Sequence, residues 1–396
     1  MLSKLLRPYQ GLSKEVWFLA LTTLVNRAGA MVIPFLSLYL TKYLGFSLGQ
    51  VGWVISSFGL GSLAGVFLGG KLSDRIGYYR VLKYSLIATG MVFIGLQFIR
   101  DFYLLCAGVF LLTLVADTFR PAVWVALDDY SLPKNRTRSV TLIRLAINLG
   151  FSLGPALGGL IITYMSYRGL FWVDALSCFA AAWILSRYLY QKSRVQTSEE
   201  RLERAGIPPV KDRPYLVFWL SMFLISFAFM QFFSTIPLFF SENLHLEEDT
   251  IGLIMAMNGF LIFLTEMPLV DKLENSRLDH LQIVIAGVVF LAFSFLMLNF
   301  AGGIGMAVVS MVLMTVGEML GFPFSNAYAL ERSRKGSQGA YMAMYGMSFS
   351  VGHILGPNIG MQFSAAFGFI STWYLMAAVC LLAAVILFLL RRKSLA

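Results

Sequence analysis

Residues 281–299 read LQIVIAGVVFLAFSFLMLN, an apolar stretch without one charged side chain. A helix of roughly 20 apolar residues crosses the ~30 Å hydrocarbon core of a bilayer. Eleven similar stretches lie between residues 16 and 390, separated by short polar breaks. The sequence therefore predicts an all-α polytopic membrane protein with 12 transmembrane helices. The other predicted spans are residues 16–41, 49–69, 81–99, 102–127, 140–163, 169–189, 215–240, 250–270, 303–328, 337–362 and 369–390.

Composition and charge placement agree with this class. The chain is 58% hydrophobic and 13% charged, whereas soluble domains carry roughly 25% charged residues. Of the 31 lysines and arginines, 25 fall on the side that holds both termini if the N-terminus is cytoplasmic. This positive-inside bias predicts two cytoplasmic termini. We attribute the net charge of +10 to contact with the lipid bilayer, and expect no nucleic-acid partner.

The chain has an internal repeat on either side of its most polar stretch. Special backbone residues and acids recur at one spacing of 202 residues. This predicts two pseudo-symmetric six-helix bundles, residues 1–190 and 215–396, joined by a cytoplasmic linker at 191–214. Secondary transporters often combine such repeats, with the substrate site near the midplane between the halves. The recurring pairs are Pro121 and Pro323, Asp129 and Glu331, Gly154 and Gly356, and Gly158 and Gly360.

The segment after the second predicted span, residues 69–80, reads GGKLSDRIGYYR. It resembles the signature loop of the major facilitator superfamily, and the resemblance implies that superfamily's fold. It also implies a conformational clasp that stabilises the outward-facing state. The alternative is a basic turn between two helices. The clasp residues are Gly70, Asp74, Arg75, Gly77 and Arg80.

A second motif, GFSLGPALGG at residues 150–159, resembles the antiporter motif of the drug:proton exchangers in that superfamily. Gly150, Gly154 and Gly158 lie four residues apart, so they share one helical face and allow close packing. Pro155 removes a backbone hydrogen bond and can bend the helix. With Gly159 these residues form a predicted helix-packing motif. A packing seam without bearing on transport direction is the alternative.

Scattered patches resemble the proton-coupled oligopeptide transporters of the same superfamily. They are Asn26–Arg27 in the first span, Arg120–Pro121 in the fourth, INLG at residues 147–150 and Glu318 in the tenth. The two acids of that family's first-helix motif are absent. This resemblance implies a pocket that takes peptides or other zwitterionic solutes.

Ionisable residues within the spans are functional candidates because their burial in a bilayer is costly. Glu318, Asp117 and His353 are candidate proton-coupling residues. Asp117 and Arg120, three residues apart, can also form a permanent ion pair. Asp174, near the outer end of the sixth span, is expected to cap structure rather than couple protons. The candidates for the substrate and charge pocket are Asn26, Arg27, Tyr39, Arg120, Arg144, Asn148, Gln231, Phe232, Asn258 and Tyr345.

The sequence predicts neither an enzyme nor a cofactor, because it has no phosphate-binding loop, metal-ligand cluster or nucleophile triad. A gradient, most simply of protons, must then supply the energy. With 34 Phe and 19 Met, the cavity is expected to suit amphipathic small molecules. The predicted function is drug export in exchange for protons, by a monomer in a bacterial inner membrane. Uptake or facilitated transport of peptides or zwitterions, and a non-transporting receptor or scaffold, are the alternatives.

Overall fold

The computed structural model describes residues 12–132, 136–191, 207–274, 276–300, 303–333 and 338–395. All regular elements in these ranges are helices, which confirms the all-α class. Short π-helical and 3₁₀ turns lie at Tyr39–Tyr43, Pro209–Lys211 and Met230–Phe233. The α-helices are α1 (Lys14–Ala28), α2 (Val32–Leu38), α3 (Leu48–Ile76), α4 (Tyr78–Leu96), α5 (Phe102–Ala116), α6 (Phe119–Tyr130), α7 (Arg136–Tyr164), α8 (Tyr167–Tyr188), α9 (Arg213–Phe229), α10 (Thr235–Glu242), α11 (Glu248–Glu274), α12 (His280–Met297), α13 (Gly303–Arg332) and α14 (Gln338–Leu395).

Eleven helical stretches in the described residues are long and apolar enough to cross a membrane. The last of them, Ala340–Arg392, is 53 residues long and bends at Gly368, whose φ of 80° is left-handed. Glycine adopts that conformation without steric cost. The two arms on either side of Gly368 correspond to the predicted eleventh and twelfth spans.

The first span is two helices rather than one. α1 ends at Ala28, and α2 begins at Val32. The amides of Met31 and Val32 donate to the carboxylate of Asp174 at 3.0–3.1 Å. A carboxylate suits a helix N-terminus, where the helix dipole is positive and amides lack partners. Asp174 therefore acts as a cap, but it is fully buried rather than close to the outer surface.

The fourth span is also broken, between α5 and α6. Asp117 terminates α5, and its amide donates to the Thr113 carbonyl at 3.0 Å. Pro121 lies in the first turn of α6, where its missing N–H is tolerated. The predicted Asp117–Arg120 spacing therefore runs across a helix break and not along a continuous helix.

The chain folds into two compact units. The described residues of the first unit fall within 1–39, 57–196 and 248–260, and those of the second fall within 40–56, 197–247 and 261–396. Helices α3 and α11 thus contribute to both units. The division at a 191–214 linker stays a prediction, and residues 192–206 of that linker lie outside the described residues.

Glycines on α3 set the packing that builds the first unit's site. Gly61, Gly65 and Gly69 lie four residues apart. A Cβ on Gly65 would clash with the Leu114 carbonyl, and a Cβ on Gly69 would lie 2.5 Å from the Thr118 carbonyl. Only glycines allow α3 this close to the break in the fourth span.

Candidate transport site

The first unit contains a cavity of about 290 Å³. Its walls come from the first, fourth and fifth spans. They are mostly apolar and aromatic, with one threonine and two arginines as the polar members. The lining residues are Thr23, Arg27, Phe119, Arg120, Val123, Trp124, Ile147 and Phe151.

Arg120 pairs with Asp117 across the break in the fourth span. Its Nε lies 2.8 Å from the Asp117 Oδ1. The Arg120 side chain is 47% exposed, whereas that of Asp117 is 8% exposed. Asp117 also accepts a hydrogen bond from the Ser62 hydroxyl on α3. The carboxylate is therefore fixed by two partners, while much of the guanidinium stays accessible.

Arg27 lies in the last turn of α1, where a cation interacts favourably with the helix dipole. Its guanidinium carbon is 5.8 Å from the centre of the Phe151 ring. A Cβ on Gly150 would clash with the Arg27 Cβ and lie 3.0 Å from the Ala28 amide. The glycine of the second motif thus lets α7 approach the end of α1. Among the described residues, no carboxylate pairs with Arg27.

A smaller pocket of about 50 Å³ lies beside the same charges and is lined in part by Asn26, Arg27, Asp117 and Arg120. Asn26 approaches the Cys178 Sγ with its Nδ2 at 3.7 Å. The pocket exceeds the 10–15 Å³ that one water needs. Four of the predicted pocket and coupling residues thus come together in the first unit.

Other predicted pocket residues of the first unit lie elsewhere. Tyr39 is 1% exposed, and its ring packs against Tyr167 and Phe171. Arg144 is exposed on α7, and Asn148 is partly buried on the same helix. Asn258 is buried on α11. The lining residues of the two cavities do not include these four.

In the second unit, Gln231 is fully buried in the turn that breaks the seventh span. Its Nε2 donates to the Gly356 carbonyl at 2.8 Å and to the Phe227 carbonyl at 3.3 Å. Its Oε1 accepts from the Thr235 hydroxyl at 2.5 Å. The polar atoms of Gln231 are thus used to hold the broken helix.

Phe232 and Tyr345 are also buried in the second unit. Phe232 stacks on Phe229, and the Tyr345 hydroxyl lies 2.8 Å from the Ser325 hydroxyl. The remaining two coupling candidates, Glu318 on α13 and His353 on α14, are partly buried and belong to this unit. Asp117, the third, belongs to the first.

The predicted clasp is mostly helix, because α3 continues through Gly70, Asp74 and Arg75 to Ile76. The turn is Gly77 alone, with a φ of 87°; a Cβ there would clash with the Gln191 side chain. Asp74, Arg75 and Arg80 are exposed. No ion pair of Asp74 occurs within the described residues.

The glycine motif of α7 packs on two sides within the first unit. A Cβ on Gly158 would lie 2.9 Å from the Phe35 ring, and one on Gly154 would be 3.5 Å from the Ala28 carbonyl. On the other side, a Cβ on Gly159 would lie 2.5 Å from the Glu248 carbonyl. Pro155 belongs to the same seam, because its carbonyl is where a Cβ on Gly252 would clash.

Sequence reasoning missed several residues of the site. Ser62, Trp124 and Phe151 are not charged, so the presence of ionisable residues within spans gives no signal for them. The repeated four-residue spacing from Gly61 to Gly69 indicates a close helix contact and could have pointed to Ser62. Trp124 lies one turn after Arg120 and shares its face.

The family model described as the Major Facilitator Superfamily matches residues 17–357 and 218–396. The uncharacterized MFS-type transporter YqjV of Bacillus subtilis (strain 168) is 26% identical over 87% of this chain and 85% of the relative. Multidrug resistance protein 2 of the same organism is 22% identical over 83% of each.

Among solved structures, the peptide transporter POT in complex with sulfate shares 14% identity with this chain. It superposes with a TM-score of 0.82 over 97% of this chain and 96% of that one. At this identity the likeness shows the fold alone. The match of the family model over most of the sequence is decisive: this chain belongs to the major facilitator superfamily and is a multi-pass membrane transporter.

Proposed function

We propose that this protein works by alternating access and exports amphipathic small molecules in exchange for protons. One observation carries the proposal: the cavity of about 290 Å³ in the first unit combines apolar walls with charges placed in membrane spans. Such charges are costly in a bilayer and mark transport pathways. A mainly apolar cavity with few polar groups suits cargo that is itself mostly apolar.

Export in particular is supported by similarity. Multidrug resistance protein 2 of Bacillus subtilis aligns along 83% of the chain, and the glycine motif of α7 resembles that of drug:proton exchangers. In the proposed cycle Glu318 carries the proton. The pair of Asp117 and Arg120 holds the charge pocket in shape. Exchange follows if a proton on Glu318 and the cargo exclude one another.

A second candidate is proton-coupled symport of peptides or other zwitterionic solutes, and the Asp117–Arg120 contact favours it. A proton on Asp117 would weaken its attraction for Arg120 and free the guanidinium for an acidic group. Proton and solute would then bind together and move in the same direction. Which carboxylate carries the proton therefore decides the direction of coupling.

Proteoliposomes with an imposed pH gradient test the proposal. The probes are amphipathic dyes of positive, neutral and negative charge, together with a labelled dipeptide. We expect at least one dye to move against the proton flux. Movement of the dipeptide with the protons would favour the second candidate. If no probe moves across a broad panel, both proposals fail and a receptor or scaffold becomes the better explanation.

The proposal includes the setting of the protein. Both termini are placed in the cytoplasm of a bacterial cell because 25 of the 31 basic residues fall on that side. The protein acts as a monomer without a cofactor, and the exposed Asp74 and Arg75 form the clasp in the outward-facing state. Replacing Asp74 by Asn should slow transport at normal expression, and wild-type turnover would contradict the clasp.

A further inference from the structure

We infer, on the basis of the proposed transport function, that the cavity of the first unit selects amphipathic anions. The accessible guanidinium of Arg120, aided by Arg27, binds the acidic group. The rings of Trp124 and Phe151 receive the apolar part. Amphipathic anions are then the substrate class of the site, whether protons move with the substrate or against it.

The charges around the cavity favour an anion. Arg27 and Arg120 both line it. Asp117 is the carboxylate among the described residues that lines the adjoining smaller pocket, and it is committed to Arg120 and to the Ser62 hydroxyl. Arg27 pairs with no carboxylate among the described residues. The cluster thus has a net positive charge, and an unpaired charge away from water is costly. A bound anion compensates that charge.

The geometry leaves donors for such a ligand. A guanidinium carries five N–H groups, and Asp117 meets Arg120 at its Nε edge. The Arg120 side chain remains 47% exposed. Arginine also binds carboxylates through two parallel hydrogen bonds, which gives orientation as well as affinity.

No carboxylate among the described residues lines this cavity, so an amine would find no acidic partner in it. Asp174, which lines neither cavity, accepts from the Met31 and Val32 amides and so offers no carboxylate to a ligand here. A lipophilic cation or a zwitterion would therefore place its positive group beside two arginines. Trp124 and Phe151 are 44% and 37% exposed, so an aromatic acid can lie against their faces.

Three ligands of nearly equal shape test the charge preference. They are 1-naphthoate, 1-naphthamide and 1-naphthylmethylammonium, measured by equilibrium dialysis against the purified full-length protein. We expect naphthoate to bind about 10-fold tighter than the amide, as a charged hydrogen bond allows, and the ammonium ion to bind weakest. Equal binding of acid and amide, tightest binding of the cation, or no binding of any of the three would overturn the inference.

Variants then locate the anion site. Arg120→Gln should reduce naphthoate affinity about 10-fold and leave amide affinity unchanged. Asp117→Asn should raise naphthoate affinity because it removes the competitor for Arg120. Misfolding cannot raise the affinity, so the Asp117→Asn variant stays informative even if Arg120→Gln does not fold. Arg100→Gln, on an exposed residue after the third span, is the matched control and should bind like wild type. An unchanged or lower affinity in Asp117→Asn would contradict the inference.

The anion can come from water or from the bilayer, and nanodiscs separate the two sources. Naphthoate binding is measured in phosphatidylcholine with and without phosphatidylglycerol. Competition by the anionic lipid identifies a lipid headgroup as the occupant, and equal affinity identifies a soluble acid. Naphthoate binding without proton-coupled transport would refute the proposed function alone. Exchange of a cationic dye without naphthoate binding would refute the anion preference alone.

Discussion

The fourth span and its counterpart in the repeat, the tenth, contain the same proline, but only one of them is broken. The spacing of 202 residues pairs Pro121 with Pro323. α5 ends at Ala116 and α6 begins at Phe119, whereas α13 continues through Pro323 from Gly303 to Arg332. A proline removes one backbone hydrogen bond in either helix. Proline alone therefore does not break the span.

The side chains beside the two prolines differ in kind. The first unit has Asp117 and Arg120, and the second has Met319 and Phe322 at the equivalent positions. Phe322 packs edge-on against Phe229, with ring centres 5.0 Å apart. One repeat thus keeps a charge pair where the other keeps aromatic packing. The two copies of the repeat thus differ in side-chain chemistry at these two positions.

The breaks in the first and seventh spans show the same contrast. In the first unit the carboxylate of Asp174 caps the second half of the broken span. Its counterpart in the repeat is the buried Met376. The second unit instead uses the neutral amide of Gln231, which bridges to the Gly356 carbonyl. Both units stabilise a discontinuous helix, and such helices line sites in many transporters.

The largest effect on transport is expected when Arg120 is replaced by phenylalanine, the residue at the equivalent position of the second unit. Arg120→Phe leaves the buried Asp117 with the Ser62 hydroxyl as its partner, and losing one partner of a buried polar group costs about 1–3 kcal/mol. The variant also removes the accessible guanidinium from the cavity. We expect transport in proteoliposomes to fall by about 100-fold or more. Phe322→Leu, the matched change in the second unit, should reduce it only a few-fold. Wild-type transport by Arg120→Phe would show that the charge pair is dispensable.

Adding Asp117→Met to Arg120→Phe separates folding from transport. The double variant removes both charges, so its thermal stability should recover towards wild type. Transport should stay low because the anion site is absent. Recovery of both properties together would assign the pair a structural role only.

The next largest effect on transport is expected from a substitution of Glu318, the proposed proton carrier. Glu318 precedes Met319, so each of the paired spans has an acid near its proline, but only Asp117 has an arginine three residues on. Glu318→Gln should abolish accumulation driven by a pH gradient and spare counterflow, because binding and the conformational cycle remain. Asp117→Asn should retain accumulation. The reverse pattern would support coupling at Asp117 and hence symport.

A smaller effect, on stability rather than transport, is expected to differ between Gly154 and Gly356, which occupy equivalent positions in the repeat. A Cβ on Gly356 would lie 2.5 Å from the Phe227 carbonyl, whereas a Cβ on Gly154 would lie 3.5 Å from the Ala28 carbonyl. Gly356→Ala should destabilise the protein by about 1–3 kcal/mol, and Gly154→Ala by less than about 0.5 kcal/mol. Thermal unfolding in one detergent compares them. Equal shifts would contradict the difference in packing.

The membrane spans could be predicted because burial in a bilayer needs apolar residues over a fixed length, which hydropathy records directly. The Asp117–Arg120 contact was also foreseeable from their spacing. The breaks in the helices were not foreseeable, because hydropathy is averaged over a window of residues and the average hides a short break. The break after Ala28 contains no proline, and it is closed by Asp174 from a distant part of the sequence.

Polar residues within a span predict the residues of the site less well than hydropathy predicts the spans. The polarity of Gln231 predicts a place on the transport path, and in the structure its polar atoms are hydrogen-bonded inside the second unit. Trp124 has no charge to mark it in the sequence, and it lines the cavity. A polar side chain can serve a helix break as well as a substrate, and an apolar one can form the cavity wall. Only tertiary packing decides between these roles.

The second unit also has a buried acid paired with an arginine, but at the start of the seventh span. Asp212 lies before α9 and accepts from Arg332 at 2.7 and 2.8 Å and from the Tyr341 hydroxyl at 3.0 Å. The hydrogen bonds from Arg332 are the main reason why the pKa of Asp212 lies below its usual value. We place this pair in the scaffold, in contrast to the pair of the first unit.

An effect on stability smaller than that of Gly356→Ala is expected from Asp212→Asn. Because the folded-state pKa of Asp212 is lowered, its contribution is present above the unfolded value of about 3.9 and is lost as pH falls through the folded value. The variant should lose about 1–2 kcal/mol of stability at neutral pH, and its deficit should shrink below about pH 4. Asp279→Asn, which removes a more exposed pair with Arg391 but keeps a good helix cap, should cost less than about 0.5 kcal/mol. Transport by Asp212→Asn, corrected for the amount of folded protein, should match wild type. A loss of transport without a loss of stability would show that the second unit also uses a charge pair for function.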